Sequence, residues 1–197
     1  MEHLKSEIAA VAARLVVMDG LEYGAAKRRA IKQLGLRGRK ALPSNDELAD
    51  AVGDYITVFC SETQPGELVA LRRLALGWME RMASFRPHLG GAVWHGTATH
   101  LSDIYIQLFC DDSKSAEILL IDHQVNYVAR TVTGFNGECV DALSVHAFCP
   151  ELKEDVGVHL LIYDQHDIRG ALRPDAKGRT PRGDLMAVRR LLHHQPP

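Results

Sequence analysis

The sequence contains few cysteines, and none of them belongs to a pair with metal-binding or redox spacing. Its 197 residues include four cysteines, which are Cys60, Cys110, Cys139 and Cys149. A chain of this length that depended on disulfides would carry more cysteine, so we expect reduced thiols. Because reduced thiols are typical of the cytoplasm, the sequence predicts a cytoplasmic protein.

Long apolar runs are absent as well. The most apolar stretch near the start, residues 8–18, follows Glu7 and is interrupted by Arg14. A membrane span takes about 20 consecutive apolar residues, and a secretory signal begins with basic residues. The segment therefore predicts a core-facing amphipathic helix, and we expect neither an export signal nor a membrane partner.

Neither sign of charge is in large excess. The chain has 23 basic and 25 acidic residues, a formal net charge of −2, which excludes a protein whose whole surface is built to hold nucleic acid. Hydrophobic residues make up 46% of the chain and charged residues 24%, which is typical of a globular protein and excludes a disordered one.

Several catalytic signatures are missing. The sequence has no G-x-S-x-G turn, no G-x₄-G-K-[ST] loop and, despite ten histidines, no H-E-x-x-H helix. Each of these motifs places a nucleophile, a phosphate cradle or a pair of zinc ligands in a defined local structure. We therefore find no support in the sequence for nucleophilic catalysis, for a P-loop enzyme or for a zinc protease.

Apolar residues at helical spacing dominate residues 1–87, which we interpret as a helical region with four helices. Ser44 and Glu47 form an S-x-x-E capping box that predicts the start of the third helix. The fourth helix is expected to begin near Pro65 and to end near Pro87, because the residue before a proline avoids the helical region.

The period of the pattern changes after this region, and residues 88–197 predict an α+β domain. Residues 103–110 alternate between apolar and other side chains, as a strand does. We expect strands at 103–110, 125–133, 139–148 and 156–163, helices at 113–123 and 184–193, and an exposed loop at 169–183. The fold class is thus α+β, with an N-terminal helical region packed on a mixed β-sheet domain that has flanking helices.

A short segment before the first predicted strand combines glycines with a Ser–Asp pair. Gly91 and Gly96 lie in a stretch that leads to Ser102 and Asp103. This arrangement resembles the signature of the DNA polymerase β-like nucleotidyltransferase superfamily, in which a Gly–Ser pair opens a helix and Ser-Asp-x-Asp lies on the next strand. The resemblance implies a nucleotidyltransferase-like sheet in the second half of the chain.

In that superfamily, two carboxylates on one strand and a third on a neighbouring strand hold the divalent metal ions that assist transfer. This chain has Tyr105 at the second carboxylate position, Ala92 in place of the serine, and His159 as the nearest polar residue at the third position. Tyrosine is a poor ligand for Mg²⁺. The resemblance therefore implies a degenerate site, with Asp103 as a weak Mg²⁺ ligand and with Asp103 and His159 at the catalytic positions.

The resemblance also implies a set of nucleotide contacts, because backbone N–H groups of a glycine turn can hold phosphates. The implied nucleotide-binding residues are Gly91, Ala92, Gly96, Ser102, Tyr105 and Gln107. Our leading hypothesis is a protein that binds a nucleotide, RNA or a protein partner without catalysing transfer. Active metal-dependent nucleotidyl transfer through Asp103 is an alternative that stays open.

Basic residues are concentrated in one segment, which supports a third hypothesis. Residues 27–40 contain seven basic residues and no acidic one. Its members are Lys27, Arg28, Arg29, Lys32, Arg37, Arg39 and Lys40. Such a patch is either a binding surface for RNA or DNA, centred on Lys27, Arg28, Arg29 and Lys32, or the solvated face of a short helix.

Overall fold

The computed structural model describes residues 2–36, 42–175 and 177–194. Three residues of the predicted basic patch, Arg37, Arg39 and Lys40, lie outside the described residues. Within the described ranges the fold is α+β, with eight α-helices and one six-stranded mixed sheet. No helix in these ranges has the length and apolarity that crossing a bilayer requires.

The chain divides into two compact units. The first contains Met1–Gly66 and Thr97–Leu101, and the second contains Glu67–Gly96 and Ser102–Pro197. The first unit is helical, and the second contains the sheet.

Three helices form the first unit, as the spacing of apolar residues predicts. They are α1 (Glu2–Asp19), α2 (Tyr23–Gln33) and α3 (Asn45–Phe59). The predicted capping box is present at the start of α3, where the Glu47 N–H donates to Ser44 Oγ at 3.1 Å and the Ser44 N–H donates to the Glu47 carboxylate. The core of the unit consists of fully buried side chains from all three helices, among them Ile8, Leu15, Ala26, Ala30, Leu48 and Val52.

The fourth helix, α4 (Gln64–Arg81), starts beside Pro65 as predicted but ends earlier than predicted. The chain continues as a 3₁₀ turn over Ala83–Phe85, and Arg86 then adopts a left-handed conformation with φ of 46°. The predicted end near Pro87 is therefore wrong by about one and a half turns of 3.6 residues. The prediction used Pro87 as the end signal, but the 3₁₀ turn that ends α4 comes earlier in the chain.

The sheet belongs to the second unit and has the strand order β3-β4-β5-β2-β1-β6. Its strands are β1 (His88–Gly90), β2 (Ile104–Cys110), β3 (Val128–Thr133), β4 (Cys139–Cys149), β5 (Glu154–Asp164) and β6 (Arg182–Asp184). Strands β2 and β5 are parallel, and all other neighbours are antiparallel. The remaining helices are α5 (Gly91–His95), α6 (Ser115–Asp122), α7 (Ile168–Ala171) and α8 (Leu185–His193).

The four long predicted strands are present, whereas the short strands β1 and β6 were not predicted. The expectation of an exposed loop at residues 169–183 is wrong at both ends. Ala171 is buried in α7, and Gly183 lies in β6 directly against the ring of Trp94. Strands of three residues are too short for a period of two to be recognised, so the glycines there indicated only a loop.

The two faces of the central strands differ in what covers them. On one face, Ile104, Ile106 and Leu160 are completely buried. On the other face a smaller core forms around Phe109 and Tyr163, whose rings stack with centroids 5.6 Å apart. This second core does not reach the start of β2, so Tyr105 is half-buried and Asp103, just before the strand, is exposed on this face.

Candidate functional site

The parallel pairing of β2 with β5 brings two predicted site residues together. Tyr105 and His159 are partners in the register, and their rings stack with centroids 4.8 Å apart and an interplanar angle of 29°. Asp103 precedes Tyr105 by two residues and its side chain extends to the same face. Its carboxylate accepts a hydrogen bond from His159 Nε2 at 3.0 Å.

A third polar side chain completes the cluster from the neighbouring strand. Ser144 on β4 lies opposite His159 on β5, and its Oγ is 2.8 Å from His159 Nδ1. A carboxylate can only accept, so in the neutral imidazole the proton is on Nε2 and Nδ1 is the acceptor. The Ser144 hydroxyl then donates to Nδ1, which gives a continuous chain from Ser144 through His159 to Asp103.

A glycine on β5 makes room for the Asp103 carboxylate. A Cβ placed at Gly157 would be 2.6 Å from Asp103 Oδ1 and 2.8 Å from Cγ. A Cβ does not approach other atoms this closely, so any other residue at position 157 would displace the carboxylate. The Asp103 side chain remains 46% exposed and that of His159 24% exposed, so both are accessible to a ligand.

The glycine turn of the predicted motif lies beside the Tyr105 ring of this cluster. Gly91 has a φ of +66°, and a Cβ there would be 3.6 Å from the ring of Tyr105. Gly91 opens α5, and Gly96, with a φ of +86°, ends it with its N–H donating to the Ala92 carbonyl at 2.9 Å. The left-handed backbone at both ends favours glycine, because it has no Cβ.

Arg72 fixes the short helix α5 in place, although nothing in the sequence motif indicates it. Its Nε donates to the Val93 carbonyl at 3.0 Å, and a terminal nitrogen donates to the Trp94 carbonyl at 3.1 Å. Only 5% of Arg72 is exposed, and burial lowers the pKa of its guanidinium. This side chain supplies donors to carbonyls that a five-residue helix leaves without partners.

The other implied nucleotide contacts are less accessible. Gln107 is only 9% exposed, and its Oε1 has no hydrogen-bond partner within the described ranges. Ala92 and Ser102 are half-buried. Gln107 is therefore on the same face as Tyr105, as the alternation predicts, but it is buried near Gly90 instead of exposed.

The donor set at Asp103 does not fit Mg²⁺. Within residues 2–36, 42–175 and 177–194, no group of three or more His, Cys, Asp or Glu side chains could hold a metal ion. Asp103 is the carboxylate of the cluster, and one of its oxygens is engaged by His159. Mg²⁺ requires near-ideal octahedral oxygen ligation, whereas the neighbours of Asp103 here are an imidazole and a phenol ring.

The basic residues of α2 differ in how far they are engaged within the first unit. Lys27 Nζ donates to Asn45 Oδ1 at 2.8 Å, and Arg29 lies 3.5 Å from the Asp19 carboxylate. Arg28 and Lys32 are exposed, and neither forms an ion pair with any described residue. Two of the four cations are thus available to an anionic partner.

Comparisons with protein-family models, with curated proteins and with solved structures find no match to this chain. The resemblance to nucleotidyltransferases therefore rests on one sequence motif.

Proposed function

We propose that this chain is a nucleotidyltransferase-like protein that binds a nucleotide without catalysing metal-dependent transfer. The observation that carries the proposal is the stack of Tyr105 on His159 beside the Gly91 turn, with His159 hydrogen-bonded to Asp103. The site combines an aromatic ring, on which a base can stack, with a glycine turn, whose backbone N–H groups can bind phosphates.

We expect the base of the nucleotide to stack on the aromatic part of the site. Stacking of a nucleobase on an aromatic side chain contributes about 1–3 kcal/mol and tolerates any base, because every base has a π-face. Tyr105 is half-buried, and its ring is already oriented by His159.

The absence of metal-dependent transfer follows from the donors of the cluster. Nucleotidyl transfer depends on divalent metal ions that neutralise the charge developing on the phosphate. Tyr105 stands where the second carboxylate would lie, and His159 occupies one oxygen of Asp103. We expect affinity for the nucleotide to survive in the absence of Mg²⁺.

Calorimetric titration of the full chain with each of the four nucleoside triphosphates tests the proposal. We expect binding of at least one of them, and we expect Mg²⁺ to change its affinity by less than about threefold. Tyr105→Leu removes the stacking surface, so affinity should fall at least tenfold, which corresponds to about 1.4 kcal/mol.

The titration has a matched control variant, and two results would contradict the proposal. Tyr127→Leu removes a tyrosine that is hydrogen-bonded to Glu117 away from the cluster and should leave affinity unchanged. Absence of binding for all four triphosphates refutes the proposal. Binding that requires Mg²⁺ and is lost in Asp103→Asn, accompanied by nucleotide incorporation, supports the active-transferase alternative instead.

A further inference from the structure

We infer that Ser144 is a nucleophile that attacks carboxylic esters, with His159 as its general base and Asp103 as the orienting carboxylate. This activity goes beyond nucleotide binding and does not depend on it. It rests on two hydrogen bonds, 2.8 Å from Ser144 Oγ to His159 Nδ1 and 3.0 Å from His159 Nε2 to Asp103 Oδ2.

The order of these three side chains meets the general requirement for an activated hydroxyl. A nucleophile must lie within hydrogen-bond reach of a base, and a third group must orient that base. Asp103 accepts from Nε2, which holds His159 in the tautomer whose Nδ1 carries a free lone pair. The two ring nitrogens are exchanged relative to serine proteases, but the path of the proton is the same.

The proposed reaction has two steps. First, Ser144 Oγ bonds to the acyl carbon while its proton moves to His159 Nδ1; the ester C–O bond breaks, and the leaving alcohol takes that proton. Second, water attacks the acyl-serine, gives its proton to Nδ1, and the carboxylic acid leaves as Ser144 regains the proton. Atoms and charges balance with water as the only co-reactant.

The surroundings of Ser144 indicate which acyl groups fit. Val128 on β3 is directly opposite Ser144 and is 53% exposed, and Phe148 follows on the same face of β4 with 61% exposure. Val128 is thus an apolar side chain open to solvent beside the cluster, and Phe148 is a second one about 13 Å further along the strand. His146, between Ser144 and Phe148 on this face, is exposed and can donate to the developing oxyanion. We therefore expect short apolar acyl groups.

Two probes test the inference on the full chain. A fluorophosphonate should label Ser144, identified by peptide mass spectrometry, and 4-nitrophenyl acetate should release nitrophenol with a burst that approaches one equivalent. Ser144→Ala should abolish both signals. His159→Gln and Asp103→Asn should slow labelling at least tenfold, because the first removes the base and the second its orienting charge.

Ser113→Ala is the matched control, since Ser113 is an exposed serine of the same unit outside the cluster, and its labelling rate should equal that of the unmodified chain. Mapping the label on the unmodified chain does not depend on whether any variant folds. An unlabelled Ser144, or a rate unchanged by Asp103→Asn, overturns the inference. Labelling of Ser144 in a chain that binds no nucleotide supports this inference and refutes only the proposed nucleotide binding.

Discussion

His88 shows how a single buried histidine can couple folding to pH. It lies in β1, where its Nδ1–H donates to the Arg86 carbonyl at 2.9 Å and its ring meets the edge of Phe109 with centroids 5.4 Å apart. Burial lowers the pKa of His88; the Arg86 carbonyl and Asp184 oppose this with smaller effects, and Arg182 adds the smallest effect, in the lowering direction. The folded chain therefore keeps this imidazole neutral at a pH where the unfolded chain has begun to protonate it.

Because the pKa of His88 is lowered by folding, the stability of the fold decreases as pH falls. The contribution of His88 to stability is fully present above its unfolded pKa of about 6.5 and is lost as pH falls toward the lower folded pKa. We expect the free energy of unfolding to decrease between about pH 7.5 and about pH 5.5. His88→Phe keeps an aromatic ring against Phe109 but cannot titrate, so its denaturation curves should show a flatter pH dependence.

His123→Gln provides the comparison for this measurement. His123 is exposed after α6 and forms no side-chain contact of the kind that His88 forms, so the variant should retain the pH dependence of the unmodified chain. An identical slope in His88→Phe and in the unmodified chain would show that another group is responsible.

The residues of the candidate cluster were predictable to different degrees. Asp103 follows from the motif and its alternation, and His159 from the alternation of the later strand. Ser144 did not emerge, because its role depends on the register between β4 and β5, and a strand sequence does not contain its register. Sequence motifs also gave no support for nucleophilic catalysis, since Ser144 lies within a strand and not on a G-x-S-x-G turn.

At the scale of elements, the sequence predicted those helices and strands that begin with a capping group or are long enough to show a hydrophobic period. The Ser44–Glu47 box defined the start of α3, and Asp184 caps α8 by accepting from the Ala187 N–H at 2.8 Å. Elements of three to five residues, such as β1 and α7, depend on tertiary contacts instead. A period cannot be recognised over so few positions.

Helix α2 allows the nucleic-acid hypothesis to be tested with two variants of equal charge. Arg28 and Lys32 form no ion pair with a described residue, whereas Lys27 donates to the neutral amide of Asn45 and Arg29 lies 3.5 Å from the Asp19 carboxylate. We expect any affinity for single-stranded RNA to depend mainly on the first pair. Replacing Arg28 and Lys32 by Gln should lower the slope of log affinity against log salt by about 1.4, at about 0.7 per released cation.

The control is the double variant Lys27→Gln with Arg29→Gln. It removes the same two charges from the same helix, and glutamine preserves helix propensity. We expect a smaller change of slope, since these cations already have partners. Equal effects of the two double variants, or no effect of either in a filter-binding titration, would contradict a specific role for the exposed pair.

At the scale of the whole molecule, the fold class was predictable and the order of the strands was not. The change from a helical to an alternating pattern after Pro87 indicated α+β. The adjacency of β2 and β5 is a parallel pairing of strands separated by a hairpin and a helix, and it depends on contacts far apart in the chain. That adjacency is also what brings Asp103 to His159, so the site could be located only once the topology was known.

The redox state of the four cysteines bears on the thermal stability of the whole molecule. All four cysteines are free thiols, and of these only Cys139 is exposed. Burial raises the pKa of Cys110, and the carboxylates of Asp112, Asp111 and Asp164 raise it further, which reduces the share of reactive thiolate. We expect no intramolecular disulfide to contribute to stability, so a reductant should shift the thermal unfolding midpoint by less than about 2 °C.

A native disulfide, if one were present, would shift the unfolding midpoint by a readily measured amount. A native disulfide contributes about 2–5 kcal/mol, and in a chain of this size each 1 kcal/mol corresponds to about 2–4 °C. A fall of more than about 4 °C on reduction would therefore reveal a disulfide and contradict the free thiols. Cys139→Ser, measured in parallel, separates that case from cross-linking between molecules, because it removes the exposed thiol and leaves the buried Cys149 in place.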